Sequence, residues 1–384
     1  PRARMIARRL LQIALTLAIL SFCVFALIAL MPGDPIEVAI AGDPRLTAED
    51  AARLRALHGL DRPFPDRYLA WATGLLGAFL PALALAPFLF PGARALNVAA
   101  TICVFVVLVA SYDLLLGYTG IVSFAHTMFY GIGAYGIGLT LHSVGPTWGA
   151  VFMGLTIAVM LSLALALVIG LFSLRVKAIF YAMITLAVAS AFAVLASQLS
   201  DFTGGEDGRT FGVPELLRPG FRLVEAEMFG TAINGKLITY YLEVFSALAL
   251  FLLLLRVVNS PFGRVLQAIR ENDFRAEALG YRTVVYRTLA NCLSAVVATL
   301  AGALMALWLR YAGPQTTLSF TIMMDILLIV VIGGMGTLYG AVVGAALFIL
   351  AQNYLQALMK QGSDALVAVP LLANLLHPDR WLLW

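Results

Sequence analysis

The stretch RVVNSPFGRVLQAIRENDFRAEALGYRTVVYR, residues 256–287, lies between two long apolar runs and is termed the charged loop. Its charged residues are six arginines and three acids: Arg256, Arg264, Arg270, Arg275, Arg282, Arg287, Glu271, Asp273 and Glu277. An excess of arginine in a short loop between membrane spans is typical of the cytoplasmic side. The charged loop is therefore predicted to lie in the cytosol, and this fixes the orientation of the apolar runs around it.

Two short helices are predicted within the charged loop. Ser260 followed by Pro261 is typical of a helix start, and apolar residues recur at helical spacing after them. Asn272 or Asp273 can cap a second helix, and Gly280 suits the left-handed residue that ends it. The loop is thus expected to be ordered rather than extended.

The second of these helices has an apolar side made of Phe274, Ala278 and Leu279. A short helix with one apolar and one charged face, exposed to the cytosol, has the form of a docking element for a soluble partner. A solvated linker can have the same composition, so the residues alone leave both interpretations open.

Three stretches resemble one known family. The run IRENDFRAEALGYRTVVYRTLANCLSAVVATLAGALMALW, residues 269–308, resembles the coupling loop and following helix of bacterial branched-chain amino-acid permeases, the membrane subunits of ATP-binding cassette (ABC) importers. GYTGIVSFAHTMFYGIGAYGIG, residues 117–138, and LLIVVIGGMGTLYGAVVGA, residues 327–345, agree with it. The resemblance covers about residues 95–360. It implies a translocation subunit whose charged loop sits on an ATPase subunit.

The resemblance also implies partners, cargo and location. The partners are a second related permease, two ATPase subunits and a periplasmic or extracellular substrate-binding protein, and the cargo is a branched-chain or related amino acid. The location is the bacterial inner (plasma) membrane, with a cytoplasmic N-terminus and several spans. Coupling to the ATPase is assigned to Arg270, Glu271, Asn272, Asp273, Phe274, Ala278, Leu279 and Gly280.

The composition of the whole chain is that of a membrane protein. Of its 384 residues, 61% are hydrophobic and 12% are charged, whereas charged residues make up about a quarter of a typical soluble domain. The prediction is an all-α, polytopic transmembrane helical bundle in lipid, with about nine spans and helices broken at glycines. Arginines at span ends account for the net charge of +4, so no nucleic-acid partner is expected.

No catalytic, cofactor or metal site is indicated by the sequence. Cys23, Cys103 and Cys292 each lie in an apolar run without CxxC spacing. GIGAYG, residues 131–136, has GxGxxG spacing but follows no predicted strand, and no GK[ST] follows the glycines of residues 333–340. The chain is predicted to be a translocation subunit and not an enzyme, with ATP hydrolysed by separate subunits.

Glycines and polar residues within the apolar runs are candidates for the translocation path. Ser123 and His126, three residues apart, are expected on one helix face, where they either line the path or bond between helices. Asp113 is a further intramembrane acid; the resemblance implies an amide there, and a role at a span end is the alternative. The path candidates are Gly117, Gly120, Ser123, His126, Asp325, Gly333, Gly334 and Gly336.

The front of the chain resembles a second family. RRLLQIALTLAILSFCVFALIALMPGDP and HGLDRPFPDRYLAW, within about residues 5–75, resemble the first span and external segment of dipeptide and oligopeptide ABC permeases. Three units are therefore expected: a peptide-permease-like unit at 1–75, a short Pro-containing junction at 76–94, and a branched-chain amino-acid permease-like unit at 95–384. The final LLANLLHPDRWLLW resembles the lead into a last span, and truncation before that span is expected.

The number of apolar runs conflicts with the orientation. Between external residue 32 and the cytosolic charged loop lie six runs: Leu75–Phe90, Ala95–Leu116, Thr119–Leu141, Thr147–Phe172, Ala178–Leu199 and Ile238–Leu255. Six crossings would leave the charged loop outside, which contradicts its arginines. A graft of two permeases or a wrongly assigned start would produce such a conflict. Leu75–Phe90 is the shortest run and contains two prolines, so it is predicted not to cross. Residues 201–236 then face outward, and the three later spans are Thr288–Tyr311, Phe320–Val331 and Ala341–Leu358.

Three other functions are compatible with the residues, and one of them is a membrane scaffold that transports nothing. The front segment allows a peptide importer permease. Asp113, His126 and Asp325 could form the proton relay of a secondary transporter, which would work alone with an imposed pH gradient. An importer would instead require ATP and co-purify with ATPase subunits.

A reporter fused after Phe90 tests the count of spans. Because Leu75–Phe90 is predicted not to cross, the reporter should be active on the outer side of the membrane. A reporter active in the cytosol would mean that another run is the one that does not cross.

Overall fold

A computed structural model describes residues 93–173, 178–221 and 234–365. All of these residues belong to one compact unit. The predictions for the front span, for Leu75–Phe90, for the junction before Ala93 and for the final segment concern residues outside these ranges.

The described residues are almost entirely helical. The helices are α1 (Ala93–Thr119), α2 (His126–Ser143), α3 (Trp148–Ser173), α4 (Ala178–Gln198), α5 (Ser200–Thr203), α6 (Gly235–Val258), α7 (Pro261–Glu271), α8 (Asp273–Ala278), α9 (Thr283–Leu309), α10 (Pro314–Thr317), α11 (Phe320–Gly333) and α12 (Leu338–Ala365). Two 3-10 turns, Gly205–Asp207 and Glu215–Leu217, and one antiparallel pair of two-residue strands, β1 (Arg209–Thr210) and β2 (Tyr311–Ala312), complete the fold.

Six helical segments within the described ranges are long and apolar enough to cross a membrane. They are Arg94–Thr119, Trp148–Leu171, Phe180–Gln198, Gly235–Val258, Thr283–Leu309 and Pro314–Gly333. Each provides the roughly 20 apolar residues that a bilayer requires. The predicted all-α membrane bundle is confirmed.

Helices α1 and α9 form the centre of the bundle. In their most apolar windows, 89% of α1 and 78% of α9 is buried, against 28% of α3 and 17% of α4. Helix α9 packs against α1, α2 and α3, and α1 also packs against α6 and α12. The outward faces of α3 and α4 are therefore the surfaces left for lipid or another subunit.

Glycines allow α2 to approach α9 closely. A Cβ added at Gly133 would lie 1.9 Å from the carbonyl oxygen of Thr299, and one at Gly302 would lie 1.8 Å from that of Tyr130. Small residues permit such backbone contact between helices in lipid. Gly133 and Gly302 therefore set the distance between α2 and α9.

The charged loop and the segment at residues 200–217 lie at opposite ends of the bundle. Tyr311, after α9, donates a hydrogen bond from its hydroxyl to the carbonyl of Asp207 (2.8 Å), and β1 pairs with β2. At the other end, Arg270 contacts the end of α1. The 24 residues of α6, rising about 1.5 Å each, separate the two ends by a membrane thickness.

The predicted span Thr119–Leu141 is helical only from His126. Helix α1 continues to Thr119, residues 120–125 are not helical, and α2 begins at His126. Gly120 has a φ of 71°, which ends α1. Ser123 therefore lies before the helix, and the prediction that it shares a helix face with His126 is wrong. The predicted breaks at glycines are present here and between Gly333 and Leu338.

Gly133→Ala should destabilise the bundle by about 1–3 kcal/mol, because the added methyl group would overlap the backbone of α9. The matched control is Gly149→Ala in α3, where the nearest atom to an added Cβ is 3.9 Å away. Thermal unfolding of the detergent-purified protein measures both variants. Equal midpoints for the two would contradict the close contact between α2 and α9.

Candidate coupling and translocation sites

The charged loop forms the two predicted helices, α7 and α8. Pro261 is the first residue of α7, and the side chain of Asn272 accepts a hydrogen bond from the backbone N–H of Arg275 (3.0 Å) at the start of α8. Gly280 has a φ of 92°. The predicted helix start, cap and left-handed end are all confirmed.

Contacts to α9 fix the orientation of α8. The carboxylate of Asp273 pairs with the guanidinium of Arg287 at 2.8 Å. The hydroxyl of Thr283 donates to the carboxylate of Glu277 at 2.7 Å, and Ala276 packs inward, 2% exposed. Helix α8 is therefore attached to the start of α9 by side-chain contacts.

The opposite side of α8 is apolar and uncovered. Phe274 is 86% exposed, Leu279 is 72% exposed, and Ala278 is exposed as well. These three residues are termed the docking face. Leaving a large apolar side chain in water costs about 1.5–3 kcal/mol relative to burial. Because the helix is outside the membrane-spanning segments, a protein surface is the natural cover for the docking face.

Arg270, in the last turn of α7, reaches the end of α1 and the connection between α11 and α12. Its Nη1 donates a hydrogen bond to the carbonyl of Gly117. A Cβ at Gly336 would lie 2.9 Å from the same Nη1, and one at Gly120 would lie 3.3 Å from Cγ of Arg270. The structure thus brings a residue of the predicted coupling set beside three residues of the predicted path set.

Asp113 joins α1 directly to the connection before α12. It is 1% exposed, and its Oδ1 accepts a hydrogen bond from the backbone N–H of Gly336 (2.8 Å). A Cβ at Gly117 would lie 2.1 Å from this Oδ1 and 2.4 Å from the nitrogen of Gly336, so only glycine allows the contact. Asp113, Gly117, Arg270 and Gly336 are termed the glycine junction.

His126 is the centre of a buried polar cluster between α1, α2 and α9. Its Nε2 lies 3.1 Å from Oγ of Ser111 and 3.3 Å from Oγ of Ser294. The two hydroxyls already donate to the carbonyls of Leu108 and Ser111. Nε2 therefore carries the hydrogen and donates to them. The interhelical hydrogen bonding considered for His126 is present.

The connection at residues 120–125 is stabilised by side chains. The hydroxyl of Ser123 accepts from the N–H of Ala125 (3.3 Å), and the hydroxyl of Thr185 on α4 accepts from the N–H of Phe124 (3.1 Å). Ser123 itself is fully buried. These partners satisfy backbone N–H groups that the helices leave free.

Comparison with known proteins gives the family. The model of a family described as the permease component of a branched-chain amino acid transport system matches residues 94–375. The chain belongs to this family. A second model, for the N-terminal part of membrane components of binding-protein-dependent transport systems, matches residues 2–81. Both resemblances seen in the sequence are confirmed, and the match is to permeases rather than to enzymes.

Similar curated proteins support both parts of the chain. The high-affinity branched-chain amino acid transport system permease protein LivM of Salmonella typhimurium is 25% identical over 272 residues, 68% of this chain and 63% of that protein. The permease LivH of the same organism is 24% identical over 68% of this chain and 84% of its own length. A putative peptide permease of Brucella ovis is 44% identical over 64 residues, 17% of this chain and 20% of that protein. No solved structure matches significantly.

As a permease of this family, the chain is a multi-pass membrane protein whose intramembrane acids are of particular interest. The predicted relay residues are not connected: within the described ranges, no hydrogen bond joins Asp113, His126 and Asp325 to one another. Asp325 is half-buried in the middle of α11. The geometry therefore does not favour the proton-coupled carrier.

Glu243 in α6 was not identified from the sequence. It is fully buried, and neither carboxylate oxygen has a hydrogen-bond partner among the described residues. A single acid within the apolar run Ile238–Leu255 was the signal that could have found it. A cavity of about 300 Å³ begins one turn further along, lined by Ser246 and Leu250 of α6 and by apolar residues of α2, α3 and α9.

Metal binding is not supported in the part of the chain that the structure describes. There, no group of three or more His, Cys, Asp or Glu residues is placed to hold an ion. Cys103 and Cys292 are buried free thiols.

His126→Leu should lower the free energy of unfolding by about 1–3 kcal/mol, because two buried hydroxyls lose their donor. His126→Gln retains an N–H donor and should cost less. His142→Leu is the control, since His142 lies on the exposed end of the same helix. Thermal unfolding in detergent provides the comparison, and a neutral His126→Leu would contradict the assigned hydrogen bonds.

Proposed function

We propose that this chain is the permease subunit of an ABC importer for branched-chain or related amino acids. Family membership over residues 94–375 supports a permease. The observation that carries the importer assignment is the uncovered docking face, on a short helix that is attached to α9 by the Asp273–Arg287 ion pair. An ATPase subunit that binds this exposed apolar helix would move the spans to which the helix is attached.

The remaining partners and the orientation belong to the same proposal. The charged loop faces the cytosol of a bacterial cell with two ATPase subunits, while residues 201–236 face outward towards a substrate-binding protein. A second, related permease packs beside this one in the inner membrane, and the N-terminus is cytoplasmic. The division into residues 1–75, 76–94 and 95–384 is retained as part of the proposal.

Peptide import is the second candidate. It is favoured by the match of residues 2–81 to transport-system membrane components and by the similarity to a putative peptide permease. That similarity covers 17% of the chain, whereas the described bundle lies in the other match. Competition of labelled leucine uptake by valine or by dipeptides in membrane vesicles distinguishes the two cargoes.

Ala278→Glu and Gly280→Val should each abolish ATP-driven uptake and weaken co-purification of the ATPase subunit. The glutamate puts a charge on the docking face, and valine at a φ of 92° strains the helix end by about 1–2 kcal/mol. Leu216→Glu is the control, because Leu216 is exposed at the other end of the bundle and should leave co-purification unchanged.

Membrane insertion of both variants should remain normal, since no atom lies within 4 Å of a Cβ built at Gly280 and Ala278 is exposed. If both variants transport at the parental rate, the charged loop is only a linker between spans.

A further inference from the structure

The glycine junction connects the charged loop to the end of α1 and to the connection between α11 and α12. Arg270 belongs to α7 of the loop, Gly117 to the last turn of α1, and Gly336 to the break between α11 and α12. Arg270 is bonded to Gly117, and Asp113 is bonded to Gly336. Two hydrogen bonds and one close glycine contact thus link three elements that are far apart in the sequence.

Each bond satisfies a backbone group that its own helix leaves free. Because α1 ends at Thr119, the carbonyl of Gly117 is among the last four and has no intrahelical donor. The N–H of Gly336 lies just before the start of α12 at Leu338 and likewise has no intrahelical acceptor. Arg270 and Asp113 supply the missing partners.

The charges also match the helix ends. A helix has partial negative charge at its C-terminus and partial positive charge at its N-terminus. The guanidinium of Arg270 lies at the C-terminal end of α1, and the carboxylate of Asp113 lies beside the N-terminal end of α12. Exchanging either charge for the opposite one would repel the helix end that it now stabilises.

We propose that Arg270 and Asp113 are positioning residues that transmit movement of the charged loop to the end of α1 and to the connection before α12. This inference rests on the proposed importer function and adds the route within the permease. When the partner displaces α7, Arg270 moves the end of α1, and Asp113 moves the break before α12 with it. The close contact of Gly117 with Gly336 makes the two ends move together.

Core packing does not account for Arg270. The residue as a whole is exposed, while its Nη1 bonds to Gly117. Arg264, on the same helix, is the matched residue: its guanidinium forms no hydrogen bond or ion pair within the described ranges. Replacing Arg270 should therefore lower the uptake per ATP hydrolysed more than it lowers the thermal unfolding midpoint.

The test uses the full-chain permease co-expressed with its importer partners and reconstituted in proteoliposomes. The readouts are ATP hydrolysis, uptake of labelled amino acid, co-purification of the ATPase subunit and the thermal unfolding midpoint. Arg270→Gln should lower uptake per ATP hydrolysed about tenfold, since a charged hydrogen bond is lost. Arg270→Lys should restore part of it, and Arg264→Gln should match the parent.

The Asp113 variants give an independent test. Asp113→Asn keeps a carbonyl oxygen for the N–H of Gly336 and should retain coupling, whereas Asp113→Leu should lose it as Arg270→Gln does. If Arg270→Gln does not fold, the comparison of Asp113→Asn with Asp113→Leu tests the inference instead. With every variant, the ATPase subunit should co-purify in the same amount as with the parental permease.

Two results would overturn the inference. If Arg270→Gln and Asp113→Leu both keep the parental uptake per ATP hydrolysed, the junction transmits no movement. Loss of ATPase co-purification in Arg270→Gln would make Arg270 a docking residue instead. Failure of the parent itself to co-purify with an ATPase would refute the proposed function, which is a separate outcome.

Discussion

Backbone polar groups at the ends of helices must find partners within the protein where water does not reach them, and this constraint shapes the connections between the spans of this permease. A buried group left without a partner costs a few kcal/mol. The connection after α1 is stabilised by Arg270, by Ser123 and by Thr185 of α4, and the connection before α12 is stabilised by Asp113. Both connections therefore lie where charged and hydroxyl side chains of neighbouring elements converge.

The same constraint relates the interior of the bundle to the loop outside it. Both central helices reach the end of the bundle where the charged loop lies. Helix α1 ends at the glycine junction, and α9 begins beside α8. Helices α7 and α8 thus contact the two most buried helices, α1 and α9. Such a connection is what an importer needs if a soluble ATPase is to change the access of a path inside the membrane.

Local chemistry made most of the fold predictable. Apolar runs of sufficient length predicted the helices, and Asn272 and Gly280 predicted the ends of α8 because caps depend on adjacent residues. The start of α2 was misplaced, since the positive φ of Gly120 and the partner Thr185 on a distant helix decide it. The bond between Asp113 and Gly336 joins residues 223 positions apart, and no local pattern in a single sequence encodes such a contact.

A photo-crosslinking residue in place of Phe274 tests the central claim most directly, since Phe274 is the most exposed residue of the docking face. Irradiation of membranes from cells that produce the whole transporter should attach the chain to an ATPase subunit, and the same crosslinker in place of Leu216 should not. Attachment to an ATPase from position 216, or from neither position, would contradict a cytosolic coupling loop that docks through α8.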